Sequence, residues 1–171
     1  CLAAACSPEY NWREIRPDGD GFAVTLPAKP ASMTRTVHLD AYDLPMTMHG
    51  ARVGDVAFTA AVARLPVDDA GARERVLAAM QAGMLQNIGA ADARREAGAL
   101  ELKDPSGALV ARVPVVRVEA SGKAQGTPVT MMAGFAAHGP RAWQWMVIGP
   151  APDRDHAKTF LDSFRLVAAG S

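Results

Sequence analysis

The sequence predicts an α+β domain, in which an antiparallel β-sheet carries two main helices packed on it. Three observations predict this class. Apolar and polar residues alternate in short segments of both halves of the chain, as is typical of half-buried strands. Two other segments, near 70–88 and 153–164, repeat apolar residues at helical spacing. The order strands, helix, strands, helix favours an antiparallel sheet with helices on it.

The first half of the chain is expected to form short strands. They are predicted at residues 11–16, 22–26, 33–39, 46–49 and 56–62. Trp12 is a large apolar anchor of the first of them, and Pro27 ends the second. The segment Pro17-Asp18-Gly19-Asp20-Gly21 between these two strands has the composition of a turn.

Helical spacing begins after Asp68 and Asp69. Either side chain can cap a helix, because its oxygen accepts hydrogen bonds from the first backbone N–H groups. We expect a helix over 70–88, with Gly89 following it as a C-cap. The apolar stripe expected to pack on the sheet consists of Val76, Leu77, Met80, Met84 and Ile88.

The second half of the chain returns to strands. They are predicted at residues 100–103, 109–118, 129–136 and 143–148. Asp104-Pro105-Ser106-Gly107 has the residue order of a type I turn, and Pro114 indicates an edge or a bulge. The strand at 143–148 is apolar on both faces, which predicts a central position covered on both sides.

A second helix is predicted after Pro152, with Asp153 as its N-cap. Its buried stripe is expected to consist of Ala157, Phe160, Leu161 and Phe164.

Composition excludes several classes of function. The chain has 171 residues, which favours one domain. It carries 18 basic and 18 acidic residues, so it lacks the basic excess typical of nucleic-acid binders. No stretch reaches the ~20 apolar residues of a membrane span. Cys1 and Cys6 are the only cysteines, and both lie at the N-terminus, so a disulfide framework for the domain is excluded.

The N-terminal run Leu2-Ala3-Ala4-Ala5-Cys6 resembles the bacterial lipobox. The resemblance implies that Cys6 carries lipid, and two or more acyl chains anchor a protein stably. Ser7 after the cysteine is typical of lipoproteins sorted to the outer membrane. We therefore predict a signal-peptide remnant, lipobox and tether over 1–10, a single domain over 11–167, and a frayed tail over 168–171. A frayed N-terminus with an incidental cysteine and a local Cys1–Cys6 bridge stay open as alternatives.

Two stretches carry a resemblance to a known family. Gly21-Phe22-Ala23-Val24-Thr25-Leu26-Pro27-Ala28-Lys29-Pro30 resembles the opening strand of small secreted PsbP-like domains. Phe160-Leu161-Asp162-Ser163-Phe164-Arg165-Leu166 resembles their closing helix. The group includes small bacterial PsbP-like lipoproteins of the DcrB and LpqN type. The resemblance implies an α/β/α-like sandwich around an antiparallel sheet and a binding or assembly role, and it brings no catalytic residue to this chain.

The residues that could perform chemistry are scattered. None of the serines lies in a Gly-x-Ser-x-Gly elbow, and the four histidines are His38, His49, His138 and His156. The sharpest metal candidate is Met46-Thr47-Met48-His49, because thioethers and imidazole suit Cu(I). The alternative is that Met46 and Met48 fill gaps in the core.

These observations favour a lipid-anchored protein of the bacterial cell envelope that faces the periplasm and acts as a non-enzymatic binding or assembly module. We expect no catalytic residue and no cofactor. The expected partners are an envelope protein or a small ligand and, through the lipid anchor, the membrane, but no nucleic acid. A soft-metal (copper) binding lipoprotein and a hydrolase with an unrecognised site remain the two alternatives.

Overall fold

Residues 9–168 are described by a computed structural model of the protein. They form ten strands and two helices. In chain order these are β1 (Arg13–Ile15), β2 (Phe22–Leu26), β3 (Ala31–Leu39), β4 (Tyr42–Val53), β5 (Val56–Arg64), α1 (Ala70–Asn87), β6 (Ala93–Lys103), β7 (Leu109–Ala124), β8 (Thr127–His138), β9 (Arg141–Gly149), α2 (Arg154–Ser163) and β10 (Arg165–Leu166).

The strands form two antiparallel sheets. Seven of them make the large sheet, in the order β3-β4-β5-β9-β8-β7-β6, and β1-β2-β10 make a small sheet. Helix α1 packs on one face of the large sheet through the buried side chains of Ala72, Val76 and Met80. The small sheet and α2 cover the other face. The large sheet therefore lies between two apolar cores, one on each side.

The predicted fold class is wrong. Strands account for 55% of the described residues and helices for 18%. The chain has a β-rich fold with two sheets, and not an α+β fold with two helices packed on one sheet as a PsbP-like sandwich. The error arises in strands that extend beyond the cores. The segment 93–99 of β6 is exposed almost throughout, so it lacks the apolar alternation that identifies a half-buried strand.

Several local predictions are confirmed. Asp69 caps α1 by accepting a hydrogen bond from the N–H of Ala72 at 2.8 Å, and Asp153 caps α2 in the same way through the N–H of His156. The turn after β6 forms as predicted, with the carboxylate of Asp104 accepting the N–H of Ser106 at 2.8 Å. The strand predicted to be central is β9, the fourth of the seven strands.

Prolines inside the long strands lie where pairing is one-sided. Pro45 pairs with Thr36 of β3, while the pairing of β4 with β5 begins only at Met46. Pro114 pairs with Ala99 of β6, and the pairing of β7 with β8 begins at Val115. Each proline therefore stands at a local sheet edge, where a missing N–H leaves no gap in the ladder.

Close packing in the sheet requires glycine at position 134, as it also does at Gly122 of β7. Gly134 of β8 lies opposite Trp145 of β9, and a Cβ atom at this position would be 2.3 Å from the indole ring. The indole stacks in parallel on Phe164 with ring centroids 3.9 Å apart. Phe164 also stacks on Phe22 at 5.3 Å, so this column of rings joins the large sheet, the end of α2 and the small sheet.

Candidate functional site

The loop between β1 and β2 is built around a buried carboxylate. Asp20 has a side chain that is only 6% exposed. One of its oxygens accepts a hydrogen bond from His49 Nε2 of β4 at 2.7 Å, and the other accepts one from Arg64 Nη2 of β5 at 2.6 Å. Because a buried carboxylate needs such donors, Asp20 ties the loop to two strands of the large sheet.

The backbone of the same loop is held by further donors. The carbonyl oxygen of Gly19 accepts from the guanidinium groups of Arg141 at 2.9 Å and Arg64 at 3.3 Å. The carbonyl of Asp20 accepts the indole N–H of Trp143 at 2.8 Å. Gly19 has a positive φ of 76°, a conformation that glycine adopts without strain. The loop is therefore fixed in a single shape by side chains from β4, β5 and β9.

Beside this loop lies a cleft of about 790 Å³, which we call the loop cleft. Its walls are the loop itself, the end of β6 with the following turn, the start of β9, and the C-terminal segment that includes β10. The lining residues are Arg16, Pro17, Asp18, Gly19, Gly21, Phe22, Ala99, Leu100, Glu101, Lys103, Asp104, Pro105, Arg141, Arg165, Leu166, Val167 and Ala168. Apolar side chains and both signs of charge thus meet in one concave site.

Two carboxylates of the loop cleft are already engaged. The pKa of Asp104 is lowered, chiefly because the Ser106 hydroxyl donates a hydrogen bond to it. The pKa of Glu101 is lowered as well, first by the hydrogen bond from Lys103 and then by the charges of Lys103 and Arg112. Both groups are ionised at neutral pH. Lys103 and Arg112 compensate the charge of Glu101, whereas neutral hydroxyl and backbone N–H donors stabilise that of Asp104.

The structure also links a serine, a histidine and an aspartate. Ser32 and His49 are cross-strand partners of β3 and β4, and the Ser32 hydroxyl lies 2.6 Å from His49 Nδ1. His49 Nε2 bonds Asp20 in turn. Ser32 is exposed, whereas the His49 side chain is 12% exposed, so the chain of hydrogen bonds runs from the surface into the interior.

The predicted metal ligands do not converge. Met46 is buried, and with the half-buried Met48 it faces α1. His49 points to the opposite face of the sheet, where its ring lies 5.9 Å from that of Phe22. Within residues 9–168, no group of three or more His, Cys, Asp and Glu side chains is placed to hold a metal ion.

The four histidines are also separate from one another. His38 is exposed and bonds Asp43 at 2.9 Å, His138 lies at the exposed end of β8, and His156 stacks on Tyr10 at 3.7 Å. The predicted lipidation residue, Cys6, lies outside the described residues, as does the rest of the lipobox-like run. Among the described residues, neither helix has the length and apolar character needed to cross a membrane.

The sequence predicts a turn at 17–21 but does not indicate that Asp20 is buried. The partners of Asp20 are 29 and 44 residues away in the chain, and no local sequence pattern predicts such contacts. Locally, Pro17-Asp18-Gly19-Asp20-Gly21 indicates only a turn. No protein-family model matches the chain, and no curated protein matches it.

Proposed function

We propose that this chain is a lipid-anchored, non-enzymatic binding module of the bacterial cell envelope, held at the outer membrane through Cys6 and facing the periplasm. The lipobox-like run at 2–6 supports the anchor. The loop cleft supports the binding role, chiefly through the rigidity of its rim. The rim formed by the loop at 17–21 is fixed by side chains of three strands, so ligand binding would cost little ordering entropy.

In-cell photo-cross-linking tests this proposal. A photoreactive amino acid is placed at Pro105, on the rim of the loop cleft, in the protein expressed from its complete gene. The matched control position is Glu74, which is exposed on α1 and belongs to the opposite side of the large sheet. We expect a product with an envelope component from position 105 and none from position 74.

The same experiment in a Cys6→Ser background tests the tether. Release from the membrane lowers the effective concentration of a membrane-bound partner, so the yield of the product at position 105 should fall. Equal products at both positions would contradict the binding role of the cleft. A yield that is unchanged by Cys6→Ser would contradict the anchor.

A second candidate function, a serine hydrolase, is favoured by the hydrogen-bonded chain Ser32–His49–Asp20. In such an enzyme the serine Oγ would attack an ester carbonyl while the histidine accepts its proton. The ester C–O bond would break, the alcohol would leave with that proton, and water would then hydrolyse the acyl-serine to a carboxylic acid. Two observations favour a structural role for the chain instead. Arg64 occupies the second oxygen of Asp20, and Ser32 lies in regular strand pairing at a sheet edge rather than on a sharp turn.

A fluorophosphonate probe separates the two functions, because it reacts with activated serines. The binding-module proposal expects no labelling of the wild-type protein. Labelling that disappears in Ser32→Ala and persists in Ser121→Ala, a control at another exposed strand serine, would establish the hydrolase.

A further inference from the structure

The arginines of the loop cleft differ in how their charges are compensated. Arg165 pairs with Glu14 at 2.8 Å. In the part of the chain that the structure describes, Arg16 and Arg141 have no ion pair with any carboxylate. Asp18, on the exposed loop, is the one cleft carboxylate in residues 9–168 without a cationic partner or a hydrogen-bonding donor. The cleft thus presents two cations without a carboxylate partner, and two carboxylates, Asp18 and Asp104, without a cationic partner.

Arg141 is held in place before any ligand binds. Its Nη2 donates to the Gly19 carbonyl at 2.9 Å, and its Cδ and Nη1 lie 3.5 Å from where a Gly21 Cβ would be. Arg64 is its cross-strand neighbour and donates to the same carbonyl. A guanidinium fixed in this way keeps its remaining N–H groups for a carboxylate or phosphate, which it binds with planar, bidentate geometry.

An apolar surface lies beside these cations in the same cleft. Phe22 and Leu166 are buried at its wall, and Leu100 and Val167 are half-buried there. A ligand with an apolar segment would remove the exposed area of Leu100 and Val167 from water, which stabilises a complex in proportion to that area.

From this juxtaposition we infer that the loop cleft binds a ligand in which a carboxylate or phosphate group is joined to an apolar segment. Arg16 and Arg141 hold the anionic group, and Leu100, Leu166 and Val167 contact the apolar segment. The inference rests on the proposed binding role of the cleft and adds the chemical class of the ligand.

The experiment is isothermal titration calorimetry of the intact chain with four probes. Octanoate and octyl phosphate carry both features; their anionic groups differ, and their apolar segments differ by one methylene. Octyl glucoside has the apolar segment without charge, and inorganic phosphate has the charge without the apolar segment. We expect both anionic octyl compounds to bind at least tenfold more tightly than the other two probes.

Three variants with one control locate the anionic group. Arg16→Gln and Arg141→Gln should each weaken the anionic octyl compounds by about tenfold, because each loses a charge-assisted contact. Asp18→Asn should strengthen them, because it removes the opposing charge. Arg35→Gln removes an equal charge from an exposed position of β3 and should leave affinity within twofold of wild type. The side chain of Arg16 has no hydrogen bond or ion pair within residues 9–168, so Arg16→Gln tests binding without removing a contact of the fold.

Octyl glucoside binding within twofold of octanoate, or unchanged affinity in both arginine variants, would overturn the inferred ligand class. Neither result bears on the photo-cross-linking at position 105, so failure of the ligand class and failure of the binding role are separate outcomes. A preference of more than tenfold between octanoate and octyl phosphate would support the inference and assign the anionic group.

Discussion

Replacing Asp20 by alanine is the most direct test of how the loop beside the cleft is held. The carboxylate accepts two close hydrogen bonds, from His49 and Arg64. A hydrogen bond to a charged group contributes about 1.5–3 kcal/mol, and breaking a buried ion pair costs ~3–5 kcal/mol. The Arg64 side chain is 41% exposed, so it can regain water, which reduces the cost. We expect Asp20→Ala to lower the free energy of unfolding by about 2–4 kcal/mol.

Urea unfolding followed by tryptophan fluorescence measures this loss. Trp143, one of three tryptophans, donates its indole N–H to the backbone of Asp20, so part of the fluorescence reports on the site itself. The midpoint should fall while the denaturant dependence stays unchanged, since the same surface is exposed on unfolding. The matched control is Asp18→Ala, which removes an exposed carboxylate from the same loop and should change stability by less than about 0.5 kcal/mol. The reasoning is refuted if Asp20→Ala stays within that limit, or if Asp18→Ala costs as much.

Other changes test the core, the surface charges and the metal hypothesis. Gly134→Ala places a Cβ 2.3 Å from the Trp145 ring, so the free energy of unfolding should fall by about 1–3 kcal/mol, measured as a lower melting temperature. An unchanged near-ultraviolet circular dichroism spectrum would contradict this contact. The pKa of Asp162 is lowered, chiefly by the hydrogen bond from a neighbouring lysine. Its contribution to stability is therefore complete above the unfolded pKa, about 4, and is lost as pH falls through the folded value. In unfolding measurements from pH 7 to pH 3, the loss of stability at the acid end should be smaller in Asp162→Asn than in wild type. Titration of the reduced protein with Cu(I) against a chromophoric competitor should show no tight site, and copper retention that Met46→Ala/Met48→Ala removes would contradict this.

The elements best predicted from the sequence are those whose signals are local. Helix α1 was expected over 70–88 and spans Ala70–Asn87, because its caps and apolar spacing lie within one segment. β9 was placed at the centre of the sheet because both of its faces are apolar, which requires cover on both sides. The predicted stripe residues Phe160 and Phe164 are both buried, although Phe164 follows the last residue of α2 rather than lying within it.

The parts that could not be predicted depend on pairing across the chain. The exposed half of β6 is a strand because its backbone pairs with β7, and its side chains carry no alternation that shows this. The predicted strand at 46–49 extends over Tyr42–Val53 for the same reason. These longer strands, in the β3–β4 and β6–β7 hairpins, raise the strand content. The fold is therefore β-rich rather than the expected α+β.

The sequence by itself determined the caps of both helices, the turns, the central strand and the lipobox-like run, since each depends on residues that are neighbours in the chain. Only the tertiary structure decided the fold class and the site. In the sequence, Asp20 is one polar residue of a turn. Its role follows only from the fold, because β4 and β5 bring His49 and Arg64 to it. The same strand pairing separates His49 from Met46 and Met48, because successive residues of a strand point to opposite faces of the sheet. Burial and charge compensation are properties of the packed chain, and contacts between distant residues create both.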